Sequence, residues 1–181
     1  MTQTQYYVAQ SLDGFIADRN NQIGWLTAFD ATPGVTEHYE AFIANVGALA
    51  MGARTYEFLL QHGGPWLYGG RPTWVFTRRT LPAIAGADLR FCSGDAAGEH
   101  PSMVAAAGGK NLWLIGGGDL AGQLVRRGLI DELWLCIIPV VLGGGVPLFG
   151  SASVPELALT EITRFPRGLV ELRYRLPKVP A

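Results

Sequence analysis

The chain has 181 residues, of which 49% are hydrophobic and 16% charged, with a net charge of -1. Such values suit one folded domain spanning 1–181 with a substantial core, and argue against a disordered chain. They also argue against a nucleic-acid footprint, a polybasic membrane patch and a bilayer span, since no apolar run approaches the ~20 residues a span needs.

The opening residues, Met1-Thr-Gln-Thr-Gln-Tyr-Tyr, lack the cationic and apolar stretches of a leader, so the cytoplasm is the expected compartment. Cys92 and Cys136 sit in apolar surroundings and read as small core residues. A first strand is expected over Tyr6 to Gln10, then a turn at Asp13-Gly14 and a short extended piece, Phe15 to Ala17. Asp18 to Gln22 is polar loop, and Ile23-Gly-Trp-Leu26 is an apolar patch within it. There Trp25 either packs a lid or faces a flat substrate. Tyr39, Phe42, Ile43 and Val46 give a helical stripe to the stretch Pro33 to Ala44. Glu37 on that helix would hold a proton for a substrate ring nitrogen if turned into a cleft, and is a solvated charge if not. His38, His62 and His100 are too far apart in sequence for a ligand set, and no metal is expected.

Ala48 to Met51 reads as a buried strand running straight into Gly52-Ala-Arg-Thr-Tyr-Glu57. Thr55 and the first-turn amides could bind a phosphate beside Arg54, or Thr55 could simply cap the helix. A glycine- and proline-rich loop, Gly63 to Pro72, leads to a strand at Thr73 to Thr77 that ends in Thr77-Arg78-Arg79-Thr80. Hydroxyls and paired guanidiniums at a strand end suit a phosphate monoester, although arginine pairs are also common surface charge. A short strand over Asp88 to Ser93 and a helix over Ser102 to Ala107 come next.

Leu112 to Arg127 is the centre of the chain. An apolar run, Leu112 to Ile115, stops at Gly116, Gly117 and Gly118, and Asp119 and Leu120 open a helix ending near Gly128. Strand, glycine turn, helix brings backbone N–H groups close to an anion, although it also serves as a plain connector. Asp131 to Leu142 reads as one long strand, with Pro139 marking a bulge or an edge, and Gly143 to Phe149 as a loop. Leu157 to Arg164 and Val170 to Leu176 pair as a closing hairpin. The fold expected is α/β: a mixed, mainly parallel central sheet with flanking helices and a C-terminal antiparallel hairpin. Three anion-friendly strand ends in one sheet would together serve one elongated dinucleotide.

Five segments in this order resemble the dihydrofolate reductase superfamily: Ser11-Leu-Asp-Gly-Phe-Ile-Ala17, Met51-Gly-Ala-Arg-Thr-Tyr-Glu57, Val75-Phe-Thr77, Ile115-Gly-Gly-Gly118, and Asp131-Glu-Leu with Pro139 to Phe149. The likeness is closer to the branch holding the C-terminal reductase domain of the bifunctional riboflavin-biosynthesis deaminase/reductase. It spans nearly the whole chain. The resemblance implies a dihydrofolate-reductase-like fold, NADPH as hydride donor with NADH possible, and a homodimer. It places the nicotinamide at Ala9 and Ile16, the pyrophosphate between Gly52 to Thr55 and Gly116 to Leu120, and the adenosine phosphate near Thr77, Arg78 and Arg79. Asp13 falls in the loop that covers the reacting centre. Asp13 and Glu37 are therefore the candidate proton donors, and Trp25 the candidate substrate contact.

Two departures bear on specificity. Where the family reads Met-Gly-Arg-x-Thr, this chain has Ala53, and Arg54 points about 100° away along the helix. Losing one charge-assisted phosphate contact costs about 1.5–3 kcal/mol, enough to weaken the preference for NADPH over NADH about tenfold or more unless Arg78 or Arg79 compensates. The Leu-Pro-Trp segment of folate enzymes is also missing, which argues against folate. The expected function is an NAD(P)H-dependent reductase acting on a small heterocyclic or carbonyl substrate. The alternative is a non-catalytic module that binds a nucleotide or another aromatic ligand in the same cleft.

Overall fold

The computed structural model describes residues 2–62, 64–154 and 156–177; Gly63, at the start of the expected loop, lies outside them. In chain order the elements are β1 (Thr4–Ser11), β2 (Phe15–Ala17), α1 (Gly24–Thr27), α2 (Val35–Ile43), β3 (Val46–Gly52) and α3 (Ala53–His62). They continue with β4 (Thr73–Phe76), β5 (Leu89–Cys92), α4 (Ala96–Ala106), β6 (Asn111–Gly116) and α5 (Gly118–Arg126). The last are β7 (Glu132–Ile138), β8 (Val146–Pro147), β9 (Ala158–Arg164), a 3₁₀ turn (Pro166–Gly168) and β10 (Val170–Arg175).

Eight strands form one sheet in the order β5-β4-β3-β6-β1-β7-β10-β9. The six from β5 to β7 are parallel, and β10 and β9 add an antiparallel hairpin at one edge. Alternation along each strand feeds two cores, one on each face. Ala48, Ala50, Leu112 and Leu114 pack with Met103 of α4 and Leu124 of α5, whereas Leu49, Met51 and Trp113 pack with Phe42 of α2 and Tyr56 of α3. Burial on both faces explains why the inner strands read as continuous apolar runs. Among the described residues no helix is long and apolar enough to cross a membrane.

Four details differ from the expectations. Helix α4 starts at Ala96 rather than Ser102, because Asp95 caps it by accepting the Ala97 N–H at 3.2 Å and Pro101 is absorbed inside it. Strand β7 ends at Ile138, so Pro139 stops the strand instead of bulging it. The stretch 143–149 carries β8, which pairs with β2 in a separate two-stranded sheet. The apolar patch around Trp25 folds as the short helix α1.

Candidate active site

Strands β3 and β6 lie side by side, and each ends in glycine and feeds a helix. Their two turns touch. A Cβ placed on Gly117 would lie 3.5 Å from the Gly52 nitrogen, and one on Gly116 would lie 3.0 Å from the Thr55 hydroxyl oxygen. Gly117 also adopts φ +106°, which L side chains rarely reach. Gly117 caps α5 with no side-chain hydrogen bond, so the first-turn amides of that helix face outward uncapped. The N-termini of α3 and α5 therefore open together onto one cleft, where their partial positive charge favours an anion.

The cleft encloses about 690 Å³. Of the residues expected at a cofactor site, Ala9, Ile16, Gly52, Arg54, Thr55, Arg79, Gly116, Gly117, Gly118, Asp119 and Leu120 line it. Thr77, Arg78 and Arg79 line a second depression of about 660 Å³, which shares Ala53, Phe76, Arg79 and Gln123 with the first. The two hollows thus run on from one another. The guanidinium of Arg79 is held by Glu57, with contacts of 2.6 and 2.9 Å. Among the described residues Arg54 and Arg78 form no ion pair, so they are the available cations at this end.

The structure does not bring Asp13, Glu37 or Trp25 into the cleft wall. The Asp13 carboxylate accepts from the Ser11 hydroxyl at 2.6 Å and from the Leu142 and Gly143 N–H groups at 3.1 and 2.7 Å. Led by the Ser11 bond, these contacts hold its pKa below the usual carboxylate range. Asp13 is a clamp between two loops, with its lone pairs already engaged. Glu37 is exposed in the first turn of α2. Trp25, on α1, has its indole N–H buried with no hydrogen-bond partner among the described residues.

Sequence reasoning missed several cleft residues. Asp30 lines the cleft, and burial raises its carboxyl pKa; among the described residues no donor is bonded to that carboxylate. Its loop position carries no periodic signal. Tyr7 and Cys136 also line the cleft, and Tyr7 was within reach, because strand alternation puts it on the same face as Ala9. Behind them the fully buried Glu171 accepts from Arg173 at 2.9 Å and meets His38 of α2 at 2.9 Å. Burial, then the Glu171 charge, pushes the Cys136 thiol up to about 12 and the Tyr7 phenol well above its ordinary value. Both are neutral at physiological pH, and Cys136 is no nucleophile.

Comparison with known proteins agrees with this geometry. Residues 60–170, more than half of the chain, match the RibD C-terminal domain. The chain is 31% identical over 146 residues to the uncharacterized protein YwjB of Bacillus subtilis (strain 168), covering 81% of this chain and 82% of that protein. It is 28% identical over 179 residues to the uncharacterized protein YyaP of the same organism, covering 92% and 91%. The crystal structure of a putative riboflavin biosynthesis protein from Shewanella sp. PV-4 superposes with a TM-score of 0.81 at 25% identity, covering 97% of this chain and 99% of that one. A pyrimidine reductase-like protein from Corynebacterium diphtheriae shares the fold, with a TM-score of 0.70 at 14% identity over 98% and 93% of the two chains. So does a deaminase/5-amino-6-(5-phosphoribosylamino)uracil reductase from Thermotoga maritima, with a TM-score of 0.71 at 13% identity over 97% of this chain and 57% of that one.

The strand order and these structural neighbours define a dihydrofolate-reductase-like fold. Within that class the chain belongs to the RibD C-terminal domain family.

Proposed function

We propose that this protein is a nicotinamide-dependent reductase that uses NADPH, with NADH as a second donor, to reduce a small heterocyclic or carbonyl compound. One observation carries the reading: two strand–glycine–helix junctions touch and open onto a single cleft that runs on to Arg78 and Arg79. A side chain at Gly116 would crowd Thr55, and Gly117 holds a positive φ that L side chains rarely adopt, so the cradle is kept clear at the place where a pyrophosphate needs backbone donors. When bound, a reduced nicotinamide supplies the hydride.

The chain's own residues bind and orient. In this reading the amides of Gly52 to Thr55 and of Gly116 to Leu120 hold the pyrophosphate, Thr77 and Arg78 hold the adenosine end, and Ala9 and Ile16 pack the reacting ring. Asp30 holds the proton that must reach the substrate, since its raised pKa keeps it protonated to higher pH than Asp13 or an ordinary carboxyl. Proximity and orientation provide most of the acceleration.

The reading includes a homodimer and a cytoplasmic location. Leu159 and Ile162, about half exposed on the unpaired edge strand β9, support the first. The free thiols of Cys92 and Cys136 support the second. NADPH deuterated at the transferable C4 position tests the chemistry on a panel of pyrimidines, pteridines and quinones. Deuterium in the reduced product is the expected result. Tight cofactor binding with no turnover across the panel would favour the binding module instead.

A further inference from the structure

The cleft has two chemically different ends. At one end the helix N-termini of α3 and α5 meet Arg54, with Arg78 beyond, all suited to phosphates. The other end lies over the sheet between α2 and α3. Its walls include Tyr7, Tyr39, Phe58, Leu59, Tyr68 and Trp113, and Leu26 and Phe29 close it from the segment around α1. Tyr68 and Tyr39 both stand edge-on to Trp113, at 5.7 Å and 87° and at 6.0 Å and 64°, which shapes a slot for a flat ring.

Charge separates the two ends more sharply than shape. Among the described residues the cations lining the cleft are Arg54 and Arg79, both beside the helix N-termini, and Arg79 is already paired with Glu57; none of the aromatic walls brings a cation, and the carboxyl beside them is that of Asp30. Two further cations close by are committed elsewhere. Arg71, beside Tyr39, spends its guanidinium on the carbonyls of Val46, Tyr68 and Ile43 at 2.9–3.0 Å. Arg167 stacks on Phe29 and donates to the Ala28 carbonyl at 2.9 Å, outside the cleft wall. A phosphate dianion placed here would lose its hydration and find no free counter-charge among these aromatic walls. Polar anchoring is available for neutral groups only. Among the described residues the Tyr39 and Tyr68 hydroxyls make no hydrogen bond, and Asp30 can exchange hydrogen bonds with ring N–H or carbonyl groups.

We infer that the substrate is an uncharged, flat aromatic heterocycle bearing no phosphate, seated between α2 and α3. The inference rests on the reductase reading for deciding which end takes the cofactor. It sets this chain apart from an enzyme acting on a phosphoribosylated pyrimidine, whose phosphate would need a cation that this end does not offer.

The test uses 4-methylumbelliferone and its phosphate ester, one ring with and without a phosphate, followed by fluorescence and calorimetric titration at pH 6.5. Both are titrated with and without NADPH. The neutral ring is expected to bind at least about tenfold more tightly than the ester. Leu26→Arg, or Ile23→Arg if the first variant fails to fold, should shift the ratio of ester to neutral-ring affinity at least tenfold toward the ester. Equal or tighter binding of the ester by the unaltered protein overturns the inference, as does failure of the neutral ring to bind. Absence of NADPH binding, with the preference for the neutral ring intact, overturns the reductase reading and leaves the charge argument standing.

Discussion

Asp13 and Asp30 respond to folding in opposite senses. Asp13 gains hydrogen bonds on folding, which lowers its pKa; its contribution is present above the unfolded carboxylate value and is lost as pH falls through the folded one. Asp13→Asn should therefore lower Tm at pH 7, and the gap to the unaltered protein should close below about pH 4. Asp30 behaves in the opposite sense. Burial raises its pKa, so the ionised form is disfavoured on folding, and stability is lost as pH rises through the folded value. Asp30→Asn should raise Tm at pH 7 and leave it unchanged near pH 3, while lowering kcat and removing the alkaline limb of its pH profile. A kcat profile that keeps that limb in Asp30→Asn would show that the proton comes from elsewhere. Asp13 was visible in the sequence because Asp-Gly marks a turn, but a turn signal cannot show that the carboxylate faces Leu142 and Gly143 rather than a substrate. Asp30 sits in a loop with no period, and only the folded chain shows that it lines the cleft.

The elements that build the cleft were the most legible part of the sequence. Strands β3 and β6 announce themselves by short apolar runs cut off at glycine, since a buried parallel strand must be apolar on both faces. What the sequence concealed were elements held by long-range contacts. Strand β8 is two residues long and exists only by pairing with β2. Helix α4 contains Gly98 and Pro101, both breakers by local propensity, and is secured by its Asp95 cap and by Met103 in the core. Helix α2 is tied down by charge, because His38 reaches the buried Glu171, which Arg173 neutralises from the neighbouring position on β10. Arg173 also stacks on Trp134 with 3.5 Å from its guanidinium carbon to the ring centroid. Arg173→Met would leave Glu171 with only His38 and the Tyr7 phenol as partners and should cost about 3 kcal/mol by urea denaturation. Arg173→Met together with Glu171→Gln should recover part of that loss. No recovery in the double variant would mean that Arg173 acts by packing on Trp134 rather than by neutralising charge.

At the scale of the molecule, the order β5-β4-β3-β6-β1-β7-β10-β9 determines where a ligand can lie. The chain begins at β1, builds outward through β3, β4 and β5, returns to insert β6 beside β1, and then continues on the far side with β7. Connections diverge around β6 and β1, and in open α/β sheets the crevice forms outside the carboxyl ends of strands at such a switch. Both glycine turns, Ala9 and Arg79 reach the cleft for this topological reason. The same layout gives the cleft its phosphate-friendly end at the helix N-termini and its aromatic end over the sheet. Whether the touching turns of β3 and β6 are a dinucleotide cradle is decided by calorimetric titration of NADPH into the unaltered protein and into Gly116→Val, its fold verified by circular dichroism. One NADPH per chain is expected, with affinity at least tenfold weaker when the valine crowds Thr55. No binding by the unaltered protein, or undiminished binding by a folded Gly116→Val, would contradict it.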